Sequence, residues 1–192
     1  MPEQERNIDA LVVRRVGRVE EVPGGPVPYR LVDASGAEVA AVSEFLRNMT
    51  ASDCSPGTVR SYAFELLGWL RFLDAVDVAW DRAARAEARD FSCWIQLTVK
   101  QRLQTARPRA ARWSSRSLGA PNPVTGKPGP GEGYAPSTVA HSETVLRRFY
   151  DFHRDAGTGP VLNPFPLDAS RRGRRAHAHR NPMLRREVAR YE

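Results

Sequence analysis

Ser55-Pro56-Gly57-Thr58-Val59-Arg60-Ser61-Tyr62 is the stretch on which the fold turns. Proline suits the first position of a helix, where its missing N–H is not needed and its φ is already helical. A serine just before it is a preferred N-cap. From there Val59, Ala63, Leu66, Leu67, Leu70 and Leu73 recur at three and four residues, with Tyr62, Trp69 and Phe72 beside them. That period predicts a helix over about 56–76. The same opening is written again further on, as Ala135-Pro136-Ser137-Thr138-Val139, continued by Leu146, Phe149 and Phe152. It predicts a second long helix over about 136–156, stopped by Gly157. Neither start carries a carboxylate in its first turns.

Shorter signals lie outward from these two. A helix is expected over about 43–49, with Phe45 and Leu46 facing inward. Another is expected over about 85–103, with Ala88, Phe91, Trp94, Ile95 and Thr98 as its stripe. Residues 8–42 read as short strands: Leu11-Val12-Val13, then Val27 to Val32, then Val39-Ala40-Ala41-Val42. Pro23-Gly24-Gly25-Pro26 and Asp33-Ala34-Ser35-Gly36 separate them as turns. The expected fold class is therefore mainly α, four helices preceded by a small β-hairpin or meander. The chain divides into an N-terminal β element (1–41), a helical domain (42–158) and a linker (159–192).

Two segments stand apart. An insert over about 105–133 holds Arg107, Arg109, Arg112, Arg116 and Lys127, with no acid until Glu132. It is rich in Pro and Gly, and much longer than the ~2–8 residues that usually join helices. After the last helix, Pro160, Pro164 and Pro166 predict an extended linker. Arg171-Arg172-Gly173-Arg174-Arg175 follows it.

The charge balance points to an anionic partner. Lys and Arg total 29 against 22 acids, a net charge of +7 and a pI near 10.1. Only Lys100 and Lys127 are lysines, and arginine favours planar and phosphate contacts. Helix N-termini add unpaired N–H groups and a partial positive charge. The phosphate backbone is bound chiefly by Arg, Lys, hydroxyls and such helix starts. Ser55, Thr58, Arg60, Ser61 and Tyr62 on one start, and Ser137, Thr138 and His141 on the other, are thus the candidate DNA contacts. Lys100, Arg171, Arg172, Arg174 and Arg175 join them as cations outside the helix starts. Ser55 reads first as an N-cap and second as a phosphate ligand, Thr58 and Thr138 also read as caps or packing groups, and Tyr62 reads more readily as a core or rim aromatic than as a base contact.

Catalytic and metal signals are weak. His177 and His179 have no Cys, Asp or Glu near them. Thr125-Gly126-Lys127-Pro128 lacks both the earlier glycine and the Ser/Thr of a phosphate loop. No cofactor, metal or small-molecule substrate is expected. Cys54 and Cys93 do not make a disulfide framework and read as reduced thiols of a cytoplasmic protein. The polar N-terminus has no signal-peptide stretch. No run reaches the ~18 apolar residues that read as a membrane span.

In order and spacing, several stretches resemble the core-binding (SAM-like) domain of tyrosine recombinases of the phage-integrase type. They are Val42-Ser43-Glu44-Phe45-Leu46, residues 55–73, Tyr134-Ala135-Pro136-Ser137-Thr138-Val139, and Phe149-Tyr150-Asp151-Phe152-His153 followed by Asn163-Pro164. The resemblance covers about 42–182. It implies a four-helix bundle that forms one half of a C-shaped clamp on double-stranded DNA, with self-association on DNA. In that family a separate C-terminal domain carries the catalytic arginines, lysine, histidines and tyrosine nucleophile. Tyr191 lacks that context, so no catalytic residue carries over. The implied role is the non-catalytic, DNA-binding half of a recombinase or integrase, from a truncated or separately encoded gene. A different class of protein also fits these residues: a helical protein-interaction module with no DNA role.

Overall fold

The computed structural model describes residues 6–97, 134 and 136–166. Within them are four helices, α1 (Ala40–Ala51), α2 (Pro56–Ala75), α3 (Arg85–Gln96) and α4 (Pro136–Asp155). One antiparallel hairpin precedes them, β1 (Arg18–Glu21) paired with β2 (Tyr29–Val32). The described chain is mainly helical, as its periodicity predicts.

Local chemistry places the helix ends. The Ser55 hydroxyl accepts a hydrogen bond from the Thr58 N–H at 3.2 Å, and Pro56 takes the first helical position. At the start of α3, Glu87 reaches back to accept from the Ala84 N–H at 2.9 Å. Gly157 ends α4 with φ +68°, a left-handed conformation that favours glycine. Helix α1 runs longer than the 43–49 segment. Helix α3 closes at Gln96, while Thr98 to Leu103 of the expected helix lie outside the described residues.

The hairpin differs from the expected strands. Leu11-Val12-Val13 is not a strand, and the partner of β2 is Arg18-Val19-Glu20-Glu21. In this register Glu20 faces Arg30 directly. Its carboxylate accepts from Arg30 Nε at 2.9 Å and from Arg18 Nε at 2.7 Å. Opposite charges across a strand pair stabilise a segment that apolar content alone would not select. Gly17 leads into β1 with φ +66°; a Cβ there would lie 2.6 Å from the Val32 carbonyl oxygen. The Val39–Val42 run starts α1 instead, and a single bridge between Val32 and Glu38 is all the pairing left there. A short apolar run cannot be told from a helix start by periodicity alone.

The chain boundary near 41 is not a packing boundary. Leu31 is buried in the same core as α1 and α2. Arg71 of α2 donates to the carbonyls of Val16 (2.6 Å) and Gly17 (2.7 Å), fastening the hairpin to the helix. Arg6 pairs with Glu87 at 2.7 Å and Asp90 at 3.3 Å, fastening the N-terminal segment to α3.

Helix α2 lies at the centre, in contact with α1, α3, α4 and both strands. Leu66 and Trp69 of α2, and Leu146 and Phe149 of α4, are all fully buried. Trp69 donates through Nε1 to the Tyr150 hydroxyl at 2.9 Å, which donates in turn to the Trp80 carbonyl at 2.9 Å. The proline-rich stretch after α4 is not an extended linker up to Pro166. Asn163 donates to the Arg147 carbonyl (3.0 Å) and to Asp151 (2.9 Å), and accepts from the Phe165 N–H (2.8 Å). Phe165 is thereby turned into the core, edge-on to Trp69 at 5.2 Å.

Candidate nucleic-acid interface

Two contacts define how α2 and α4 sit together. Ser61 Oγ lies 3.3 Å from His141 Nε2, and two turns later Trp69 bonds Tyr150. The sequence offsets are 80 and 81 residues. Contacts that advance in step mean that the two helices run in the same direction. Both N-termini therefore open at the same end of the molecule. The partial positive charges of two parallel helices add at that end, and neither first turn contains an acid to cancel them.

The candidate residues separate by what they touch. Ser61, Ser137, Thr138 and His141 are exposed on the first turns of the two helices. Arg60 is exposed, with its guanidinium 5.1 Å from the ring centre of the exposed Phe64. No carboxylate comes within ion-pair distance of Arg60 among the described residues. Ser55 is occupied as the N-cap, and its hydroxyl also lies 2.9 Å from Thr58 Oγ1. Thr58 is half-buried beside it.

Tyr62 corrects the expectation of a DNA contact. Its ring is buried, stacked on Phe45 at 6.2 Å and edge-on to His141 at 6.1 Å. Its hydroxyl accepts from Arg148 Nη1 at 3.1 Å. Tyr62 is a supporting residue: it holds His141 from behind and positions Arg148 in front. Lys100, Arg171, Arg172, Arg174 and Arg175 lie outside the described residues, as do the insert over 105–133 and the tail beyond Pro166.

Arg148 is a surface cation that sequence reasoning missed. It sits on the fourth turn of α4, where an arginine reads as an ordinary solvated position. Packing brings it to the Tyr62 hydroxyl, two turns from the Ser55 cap. The hydrogen bond to Tyr62 holds its pKa above the ordinary arginine value, against a smaller opposing effect of burial. No motif spacing encodes this contact, because it depends on the alignment of α4 against α2.

The described titratable groups do not converge on a reactive centre. His153 is fully buried. Its Nε2 lies 3.0 Å from the Ala41 carbonyl and its Nδ1 2.8 Å from the Thr158 hydroxyl. The carbonyl can only accept, so Nε2 carries the proton and Nδ1 accepts from Thr158. Burial lowers the His153 pKa, outweighing the Ala41 hydrogen bond and the charge of Glu44. This histidine joins the end of α4 to the start of α1. Among the described residues no cluster of three His, Cys, Asp or Glu side chains could hold a metal ion. No helix among them is long and apolar enough to cross a membrane.

No protein-family model matches the sequence, and no curated protein or solved structure matches it significantly.

Proposed function

We propose that this chain binds double-stranded DNA through its phosphate backbone, with the open ends of α2 and α4 as the gripping surface. The observation that carries the reading is the Ser61–His141 contact, which sets two acid-free helix starts side by side. Exposed Arg60, Arg148, Ser137 and Thr138 stand around them. N–H groups, hydroxyls and arginines at one end of a basic chain are the groups that phosphate contacts use. In this reading the chain is the core-binding, SAM-like half of a cytoplasmic tyrosine recombinase or integrase. It holds DNA, associates with further copies on it, and leaves bond breakage to residues it does not contain.

A salt titration tests the grip. With ~4–6 phosphate contacts, log K against log salt should fall with a slope of about −4 to −5. Fluorescence anisotropy on a labelled duplex measures it, and a slope near zero would refute the reading. Ser61→Glu places a carboxylate between the two helix starts and should weaken binding by about tenfold, an unfavourable change of about 1.4 kcal/mol. Covalent protein–DNA adducts on supercoiled plasmid would overturn the non-catalytic assignment.

A further inference from the structure

A second surface lies away from the Ser61–His141 contact. The N-terminal segment, α2, α3 and the first turns of α4 enclose a groove of about 700 Å³. Its floor is apolar, formed by Leu67, Phe91, Ile95 and Trp94, with Phe64 exposed at the edge. Its rim is cationic: among the described lining residues are Arg14, Arg15, Arg18 and Arg71, with Glu65 as the one carboxylate.

These arginines are unequally neutralised. Arg14 has a loose pair with Asp74 at 3.4 Å, and Arg18 is held by Glu20. Among the described residues Arg71 has only the Val16 and Gly17 carbonyls, which accept its N–H groups without cancelling its charge. No carboxylate lies within ion-pair distance of Arg15 among the described residues. Burial, and then the charge of Arg15, lower the Arg71 pKa. The wall of the groove also holds Ser142, 2% exposed, whose hydroxyl has no partner among the described residues.

We infer that this groove docks an acidic, amphipathic peptide segment of a partner protein, with apolar side chains on the floor and carboxylates against Arg15 and Arg71. Charge complementarity selects this occupant. The chain's own segment 98–133 carries seven lysines and arginines against one glutamate, the same sign as the rim. A nucleic-acid strand would suit the arginines, but half of the apolar lining is aliphatic (Val13, Val19, Leu67 and Ile95), which fits side chains better than stacked bases. The inference does not rest on the DNA reading, because only Thr138 is common to the two surfaces.

The test uses the full chain and a fluorescein-labelled, glutamate-rich peptide of about 12 residues bearing Leu and Phe, in the manner of groove-bound segments. A matched peptide has lysine at every glutamate. Anisotropy should show the acidic peptide binding at least ~10-fold more tightly than the lysine peptide, a difference of about 1.4 kcal/mol. Arg15→Glu should weaken it by a similar factor with an unchanged thermal melt. Arg47→Glu, exposed on α1 and outside the groove, should leave it unaltered. Equal binding of the two peptides, or an Arg15→Glu protein that binds as the parent does, would overturn the inference. So would displacement of the acidic peptide by an oligothymidine or by a synthetic 98–133 peptide at lower concentration than unlabelled acidic peptide. Loss of peptide binding with duplex binding intact would remove the groove alone. Loss of duplex binding with peptide binding intact would remove the DNA reading alone.

Discussion

Tyr150→Phe removes one oxygen from the centre of the molecule and leaves the ring in place. That oxygen accepts from Trp69 Nε1 and donates to the Trp80 carbonyl, each at 2.9 Å. Burial pushes the Tyr150 pKa upward, so the phenol stays protonated and keeps its donor role throughout the accessible pH range. Trp69 is fully buried, so the variant strands its N–H, at about 1–3 kcal/mol. The Trp80 carbonyl belongs to a half-buried residue and regains part of its loss from water, so its share is about 1 kcal/mol. The expected destabilisation is therefore about 2–4 kcal/mol. A double-mutant cycle isolates the first share. In a Trp69→Phe background the donor is already gone, and Tyr150→Phe should cost only about 1 kcal/mol. The coupling energy is then about 1–3 kcal/mol. Urea unfolding followed by far-UV circular dichroism measures all four proteins without relying on tryptophan emission. Equal costs of Tyr150→Phe in the two backgrounds would refute the relay.

Three further outcomes follow from the packing. His153 is neutral in the fold with a lowered pKa, so its stabilisation is complete above the unfolded value of about 6.5 and is lost as pH falls through the window between that value and the folded one. Unfolding free energies from urea titrations should drop across that window with a slope of at most about 1.4 kcal/mol per pH unit, and His153→Gln should remove this component. Phe165→Ala should cost about 3 kcal/mol in the same assay, whereas an unstructured linker residue would cost nothing. Ser55→Ala deletes the cap on Thr58 N–H and should cost about 1 kcal/mol; no change in the melt would mean that α2 needs no side-chain cap.

The two long helices were legible because their signals are local. A serine cap, a first-position proline and a stripe at three and four residues all lie within the segment that folds. The buried faces of both helices could be read in the same way. The hydrogen bond that fixes their alignment could not, because Trp69 meets Tyr150 across 81 residues of sequence. β1 was hidden for a related reason: Arg-Val-Glu-Glu becomes a strand through Glu20 pairing across to Arg30, not through apolar content. At the candidate interface, the hydroxyls and Arg60 follow from position on the first turns. Tyr62 did not stay on the surface, because its ring completes the packing between Phe45 and His141. Prolines near 160–166 suggested an extended segment, yet one asparagine with three hydrogen bonds folds it back and turns Phe165 inward.

The seat of His153 also supplies an optical signal. The imidazole lies 4.7 Å from the Trp80 ring, at a 57° tilt. An indole loses emission when a neighbouring imidazole gains a proton, because the cation is the better electron acceptor. A protein retaining Trp80 as its sole tryptophan would carry an intrinsic fluorescence gauge of the joint between α1 and α4. Its brightness would follow the protonation of one buried histidine.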